Sequence, residues 1–223
     1  MQHYPLLTAD TFFPYVVLAD GDFPSHPIPS GLLSRALHLV CCDRAGQRAI
    51  EWGLHPEAIV GDGDSIPADF RSRYASIFHH VSEQEDNDMT KATRYLLSIG
   101  ATGPVCYLGA TGKREDHTLA NIALLEEYRR RFGILSVMVT DHGWFAVAQG
   151  RSVFGAFARQ QVSIFNLSCR ERLSSTGLKW GAYPFTAFWQ GSLNEAVSDS
   201  FVLDGDGAYL VFRTFEAKRY GVA

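Results

Sequence analysis

The stretch LHLVCCDRAGQRAIEWGLHPEAIVGDGDS, residues 37–65, decides the fold. It opens on a mainly apolar run from Leu37 to Cys42 and continues through a helical stretch from Ala45 to Trp52 that Gly53 stops. A second apolar run, Ala58-Ile59-Val60, then ends at Gly61-Asp62. Runs that are apolar throughout, rather than in alternation, suit a parallel sheet covered by helices on both faces. The same unit recurs on either side. Val16 to Ala19 reads as a strand ending at Asp20-Gly21-Asp22. Ile77 to Val81 leads to a helix from about Asn87 to Ile99, closed by Gly100. Pro104 to Leu108 leads to a helix from about His117 to Phe132, closed by Gly133, and Leu135 to Thr140 follows. The expectation is an open, mostly parallel α/β sheet over residues 1–142.

Beyond residue 142 the helical period is lost. Trp144 to Ala148, Gln161 to Leu167, Ala187 to Gln190, Ser200 to Leu203 and Ala208 to Thr214 are β-rich and separated by turn signals. Asp204-Gly205-Asp206-Gly207 reads as a hairpin turn between two of them. A small all-β, sandwich-like domain is expected over residues 143–223.

The 223 residues carry 20 basic and 24 acidic side chains, a net charge of −4. No basic stripe exists for a phosphate backbone beyond Arg129, Arg130 and Arg131, so a nucleic-acid-coating role is excluded. No apolar run approaches the roughly 18 residues of a membrane span, and Met1-Gln2-His3-Tyr4-Pro5 lacks the layout of a signal peptide. The cysteines at 41, 42, 106 and 169 form no Cys-x-x-Cys pair, and are expected to be reduced, buried and cytoplasmic.

In an open parallel sheet, ligands bind outside the carboxyl ends of the strands. Asp43, Gly61 to Ser65, Gln84 to Asp88 and Gly109 to Asp116 gather at those ends. Asp62 and Asp64, one residue apart at a strand end, suit a hard divalent cation, although an acidic turn explains them equally well. Gln84, Asn87, Asp88 and Lys91 have the spacing of one helical face, opposite an apolar stripe of Met89, Ala92, Leu96 and Ile99. Asp88 would add a third carboxylate to the edge, and Lys91 a phosphate partner; the competing reading is a solvated face with Asn87 as N-cap. Gly109 to His117 joins glycines, Lys113 and Arg114 to a helix N-terminus, which suits an anion. It lacks the order of a Walker loop, and Asp116 is explained as well by an N-cap. His79 and His80 read as structural.

These motifs, in this order, resemble the thiamine pyrophosphokinase family. The family carries Asp-Gly-Gly after its second strand, then Gly-Asp-x-Asp-Ser, Gln-x-x-Thr-Asp-x-x-Lys, Gly-x-x-Gly-Gly-Arg-x-Asp-His with Asn four residues on, and a late Gly-Leu-Lys-Trp. The corresponding residues here are Asp43, Gly61 to Ser65, Gln84 to Lys91, Gly109 to His117 with Asn121, and Gly177 to Trp180. Arg44 and Lys113 stand where the family has glycine, Asn87 where it has Thr, and Ser192-Leu193-Asn194 where it often has Thr-Ser-Asn.

The resemblance implies transfer of pyrophosphate from ATP to the hydroxyl of thiamine. It places a divalent cation, Mg2+, on Asp62, Asp64 and Asp88, and catalysis on Asp88, Lys91 and Arg114. It places the nucleotide on Asp43, Arg114, Asp116, His117 and Asn121, and thiamine on Gln84, Trp180 and Asn194. It also implies a homodimer in which one chain's β-domain completes its partner's thiamine site. The competing readings are a non-catalytic binder of thiamine or nucleotide, favoured by Arg44 and Leu193, and a metal-dependent phosphoesterase using the same carboxylates.

Overall fold

The computed structural model describes residues 1–218. The chain divides into two compact units, Ala9–Asp141 and a second unit made of Met1–Thr8 with the chain from His142 onward. Strand β1 (Gln2–Tyr4) belongs to the second unit. The first unit runs β2 (Tyr15–Leu18), α1 (Pro27–Ser34), β3 (His38–Cys42), α2 (Arg44–Glu51), β4 (Ala58–Gly61), α3 (Ala68–Arg73), β5 (Phe78–His80), α4 (Asp88–Ser98), β6 (Val105–Leu108), α5 (Glu115–Phe132) and β7 (Ser136–Val139).

Its strands lie in the order β7-β6-β2-β3-β4-β5, and each neighbouring pair is parallel. β2 to β4 and β6 are almost wholly buried, as their unbroken apolar runs require. The chain builds outward from β2 to β5, then returns to the other side of β2 as β6. Right-handed crossovers therefore put α1 to α3 on one face and α4 and α5 on the other. On the second face, Thr90 of α4 bonds the Tyr128 hydroxyl of α5 at 2.8 Å, and Thr93 bonds that of Tyr107 at 3.0 Å. On the first, Gly46 lets α2 lie against Ile59, since a Cβ there would stand 2.5 Å from its Cδ1. Gly100 and Gly133, both at positive φ, follow the ends of α4 and α5.

Three expectations need correction here. Gln84 lies before α4, so it does not share that helix's face; Lys91 is buried, against the competing reading of a solvated face. His79 and His80 are exposed on β5, at the sheet edge. Helices α1 and α3 form where none was expected.

The second unit contains β1, β8 (Gly143–Gly155), β9 (Gln160–Asn166), β10 (Leu173–Thr176), β11 (Asn194–Glu195) and β12 (Ser200–Ala217). The two long strands, β8 and β12, pair antiparallel along their length. Their paired stretch Gly143–Gln149 with Ala208–Thr214 extends through β9 to β11. Their other stretch is flanked by β10 and by β1, which pairs Gln2–Tyr4 in parallel with Ser152–Phe154. That pairing is why residues 1–8 fall with this unit and not with the α/β unit. Phe154 and Phe201, with ring centroids 5.0 Å apart, fill the core together with Ile164, Leu203 and Tyr209.

The expected hairpin at Asp204 to Gly207 is absent: β12 passes through those residues with only a register shift between Asp204 and Ala208. The glycines serve close approach instead. A Cβ at Gly205 would stand 2.7 Å from Cys169 Sγ, and one at Gly207 2.4 Å from the Ser168 carbonyl. Asp206 accepts the Arg170 and Glu171 amides. Ala187 to Gln190 is likewise not a strand, the chain there forming a 3-10 turn over Phe188–Gly191. All four cysteines are buried thiols. Among the described residues, no helix is long and apolar enough to cross a membrane.

Candidate functional site

The reversal of strand order falls between β2 and β6, whose following helices leave toward opposite faces of the sheet. The β2 loop still touches the β6 loop: the Gly21 amide donates to the Gly109 carbonyl at 2.6 Å, and the Asp22 amide to Thr111 at 2.8 Å. Along the carboxyl ends of β2, β3, β4, β5 and β6 runs a cleft of about 700 Å³. Such a crevice at a switch point is where open α/β sheets hold their ligands. Of the residues singled out in this unit, Asp43, Asp62, Gln84, Asp88, Lys91, Arg114, His117 and Asn121 line it. Asp64 and Asp116 do not.

Asp43 is buried and sits at φ 41°, ψ −117°, a backbone conformation that side chains rarely take. Its carboxylate makes no cap for α2; it accepts the Gly63 amide at 3.2 Å and the Ser65 hydroxyl. Asp43 therefore shapes the loop that carries Asp62. Asp62 in turn accepts the Asp64 amide at 3.0 Å and the Gln84 amide at 3.3 Å. The first of these bonds turns the chain and leaves Asp64 exposed. The Asp64 amide, then Gln84, hold the Asp62 carboxyl below the usual range.

Asn87 caps α4, its side chain accepting the Thr90 amide at 2.9 Å while donating to Asn121 Oδ1 at 3.0 Å. Asn121 donates in turn to the Ala110 carbonyl at 2.8 Å, so α4, α5 and the β6 loop are tied together. One residue on, Asp88 faces Lys91. Burial pushes the Asp88 carboxyl up; Lys91 works against this, and the Asp43 and Asp62 carboxylates add to it.

Arg114 Nε and Nη2 grip Asp116 at 3.0 and 2.5 Å, and that pairing holds Asp116 down to about 2. Arg114, not Asp116, occupies the N-cap position of α5, and Asp116 lies in the first turn. Lys113 takes φ 59°, the left-handed backbone that glycine adopts freely, and pairs with Asp20 at 3.1 Å.

Among the described residues no group of three or more His, Cys, Asp or Glu side chains is close enough together to hold a metal ion. In the β unit, Asn194 is buried and its amide is spent on Trp180: Oδ1 accepts the Trp180 amide at 3.2 Å and Nδ2 donates to its carbonyl at 2.8 Å. Asn194 thus positions Trp180, whose ring is half exposed with Lys179 Nζ 4.9 Å from its centroid.

Asp20 lines the cleft and Arg48 braces it from behind; the sequence singled out neither. Arg48 donates to the Gly21 carbonyl at 2.8 Å and pairs with Asp20 at 3.4 Å. Asp20-Gly21-Asp22 ending an apolar strand was the available signal, but that β2 lies at the switch point depends on strand order.

Residues 30–136 match the family description "Thiamin pyrophosphokinase, catalytic domain", and residues 143–212 match "Thiamin pyrophosphokinase, substrate-binding domain". No curated protein matches the sequence. Among solved structures, thiamin pyrophosphokinase from Candida albicans is similar with a TM-score of 0.77 at 18% identity, over 96% of this chain and 93% of that one. Thiamine pyrophosphokinase from Bacillus subtilis is similar with a TM-score of 0.74 at 19% identity, over 91% and 99%. The yeast enzyme gives 0.74 at 14%, over 96% and 91%. At these identities the structures speak for the fold, while the two matched descriptions take in most of the sequence. The chain belongs to the thiamin pyrophosphokinase family.

Proposed function

We propose that the chain transfers the pyrophosphoryl group of ATP to the hydroxyl of thiamine, giving thiamine diphosphate and AMP. The observation that carries this reading is the meeting of Asp62, Asp88, Lys91, Arg114, His117 and Asn121 in one switch-point cleft, in a chain of this family. The cleft also brings two carboxylates, Asp62 and Asp88, to its lining, where a divalent cation would find them. Asp43 and Asp62 both repel charge on Asp88, a cost that a hard cation relieves. Asp62 and Asp88 would hold magnesium from the cleft wall, joined by Asp64 once its exposed loop turns inward, and the ion when bound draws charge from the polyphosphate oxygens.

The side chains have separable tasks. Lys91, shielded from water, faces charge that builds on the transferring group. Asp116 holds Arg114 in a fixed orientation, and Arg114 neutralises the nucleotide from the α5 side. His117 and Asn121 bound the nucleotide on that same side. Asp43 acts through the loop that it braces. A loose phosphoryl transition state asks little of a base, so the work is chiefly positioning and neutralisation.

Trp180, held by Asn194, offers an aromatic face to the thiazolium cation, an interaction of roughly 0.5–2 kcal/mol. A second copy of the chain is the proposed partner. Exposed Phe188, Trp189 and Leu193 beside Trp180 in the sequence supply apolar surface for it, and sedimentation at micromolar concentration tests it. The transfer itself is tested by resolving nucleotide products from ATP and magnesium with and without thiamine. AMP that appears only with thiamine supports the reading, and ADP or thiamine-independent hydrolysis overturns it.

A further inference from the structure

We infer that Arg44 is a polyphosphate-binding residue, its guanidinium taking the charge of the terminal phosphates of ATP. The inference rests on the function proposed above and names a residue that the family pattern, with glycine after this aspartate, does not supply.

Arg44 opens α2 directly after Asp43, is exposed, and lines the cleft. The other cleft cations are committed. Lys91 pairs with Asp88 at 3.4 Å, Lys113 with Asp20 at 3.1 Å and Arg114 with Asp116 at 2.5 Å. The Arg44 side chain makes no hydrogen bond or ion pair with any described residue. Of the acids of its own and the β2 loop that line the cleft, Asp43 is engaged by Gly63 and Ser65, and Asp20 by Lys113 and Arg48. Among the described residues the cleft thus carries one uncommitted positive charge, on a fork shaped to grip two phosphate oxygens. A polyanion engages it without first breaking an ion pair.

The opposite consequence of replacing glycine is obstruction, with the Arg44 side chain filling space a nucleotide needs. The two differ in sign, and calorimetric titration separates them. Wild type, Arg44→Ala, Arg44→Gly, Arg44→Lys and Arg130→Ala are titrated with ATP and magnesium, and with AMP, in the absence of thiamine. Arg130, on α5 and paired with Glu127 away from the cleft, controls for net charge.

Loss of Arg44 should weaken ATP binding roughly tenfold to a hundredfold, with AMP affinity unchanged. Arg44→Lys should fall between, and Arg130→Ala should match wild type. ATP affinity that is unchanged or tighter in both Arg44→Ala and Arg44→Gly overturns the inference and leaves the proposed function standing. So does equal weakening of AMP and ATP, which places the contact away from the terminal phosphates. A wild-type chain that binds neither nucleotide overturns both.

Discussion

Lys91 holds its ammonium 3.4 Å from Asp88 Oδ1, with 3% of its side chain exposed. A cation so placed cannot be replaced by solvent, and it works against the burial of Asp88 and the crowding of Asp43 and Asp62 around it. Lys91→Ala should therefore lower kcat by roughly 10²–10³-fold, the scale of losing a preorganised partner of developing charge. Steady-state rates check this, with circular dichroism to confirm the fold.

The carboxylate assignment predicts a shared metal dependence. Excess chelator should stop AMP formation and added magnesium restore it. Asp64→Ala and Asp88→Ala should each abolish activity while leaving the fold intact. Asp64 is the sharper case, because it lies outside the cleft lining. Retention of most activity by both variants would remove the assignment.

Lys113 at φ 59° carries a backbone cost that glycine does not. Lys113→Gly and Lys113→Ala both remove the Asp20 ion pair, so their difference isolates the backbone. Urea denaturation should find the glycine variant more stable by about 1 kcal/mol.

Asp141 ties down the segment before α1, accepting the Ser25 amide at 2.9 Å, the His26 amide at 3.0 Å and the Ser25 hydroxyl. These bonds, working against partial burial, hold its carboxyl below the usual range. A depressed folded value means the stabilisation is complete above the unfolded value near 4 and lost as pH falls through the folded one. Asp141→Asn should cost about 1–2 kcal/mol at neutral pH, and the gap from wild type should close below about pH 4. Thermal melts across pH 2–7 measure it.

What the sequence revealed was what local chemistry controls. The apolar runs at 37–42 and 58–60 became buried parallel strands, and Gly100 and Gly133 follow the helices that they were expected to close. What it hid depended on distant partners. Asp204 to Gly207 has turn composition, yet residues 168–171 pack on it and keep β12 continuous. β1 forms only because Ser152–Phe154 offers an open edge. α1 carries prolines at 27 and 29 and a glycine at 31, residues that a helix interior disfavours; the prolines fall in its first turn, where no intrahelical N–H bond is lost, and His26 accepts the Ile28 amide. In the cleft, residue types and order were legible. The outward turn of Asp64 was not, because it follows from Asp62 capping the very next turn of chain.

The most direct test follows the phosphorus atoms. The protein is incubated with magnesium, thiamine and ATP radiolabelled at either the α- or the β-phosphorus, and the products are separated. The account predicts β-label wholly in thiamine diphosphate, α-label wholly in AMP, and one AMP per thiamine diphosphate. Label left in ADP, or β-label released as inorganic phosphate without thiamine, would contradict it.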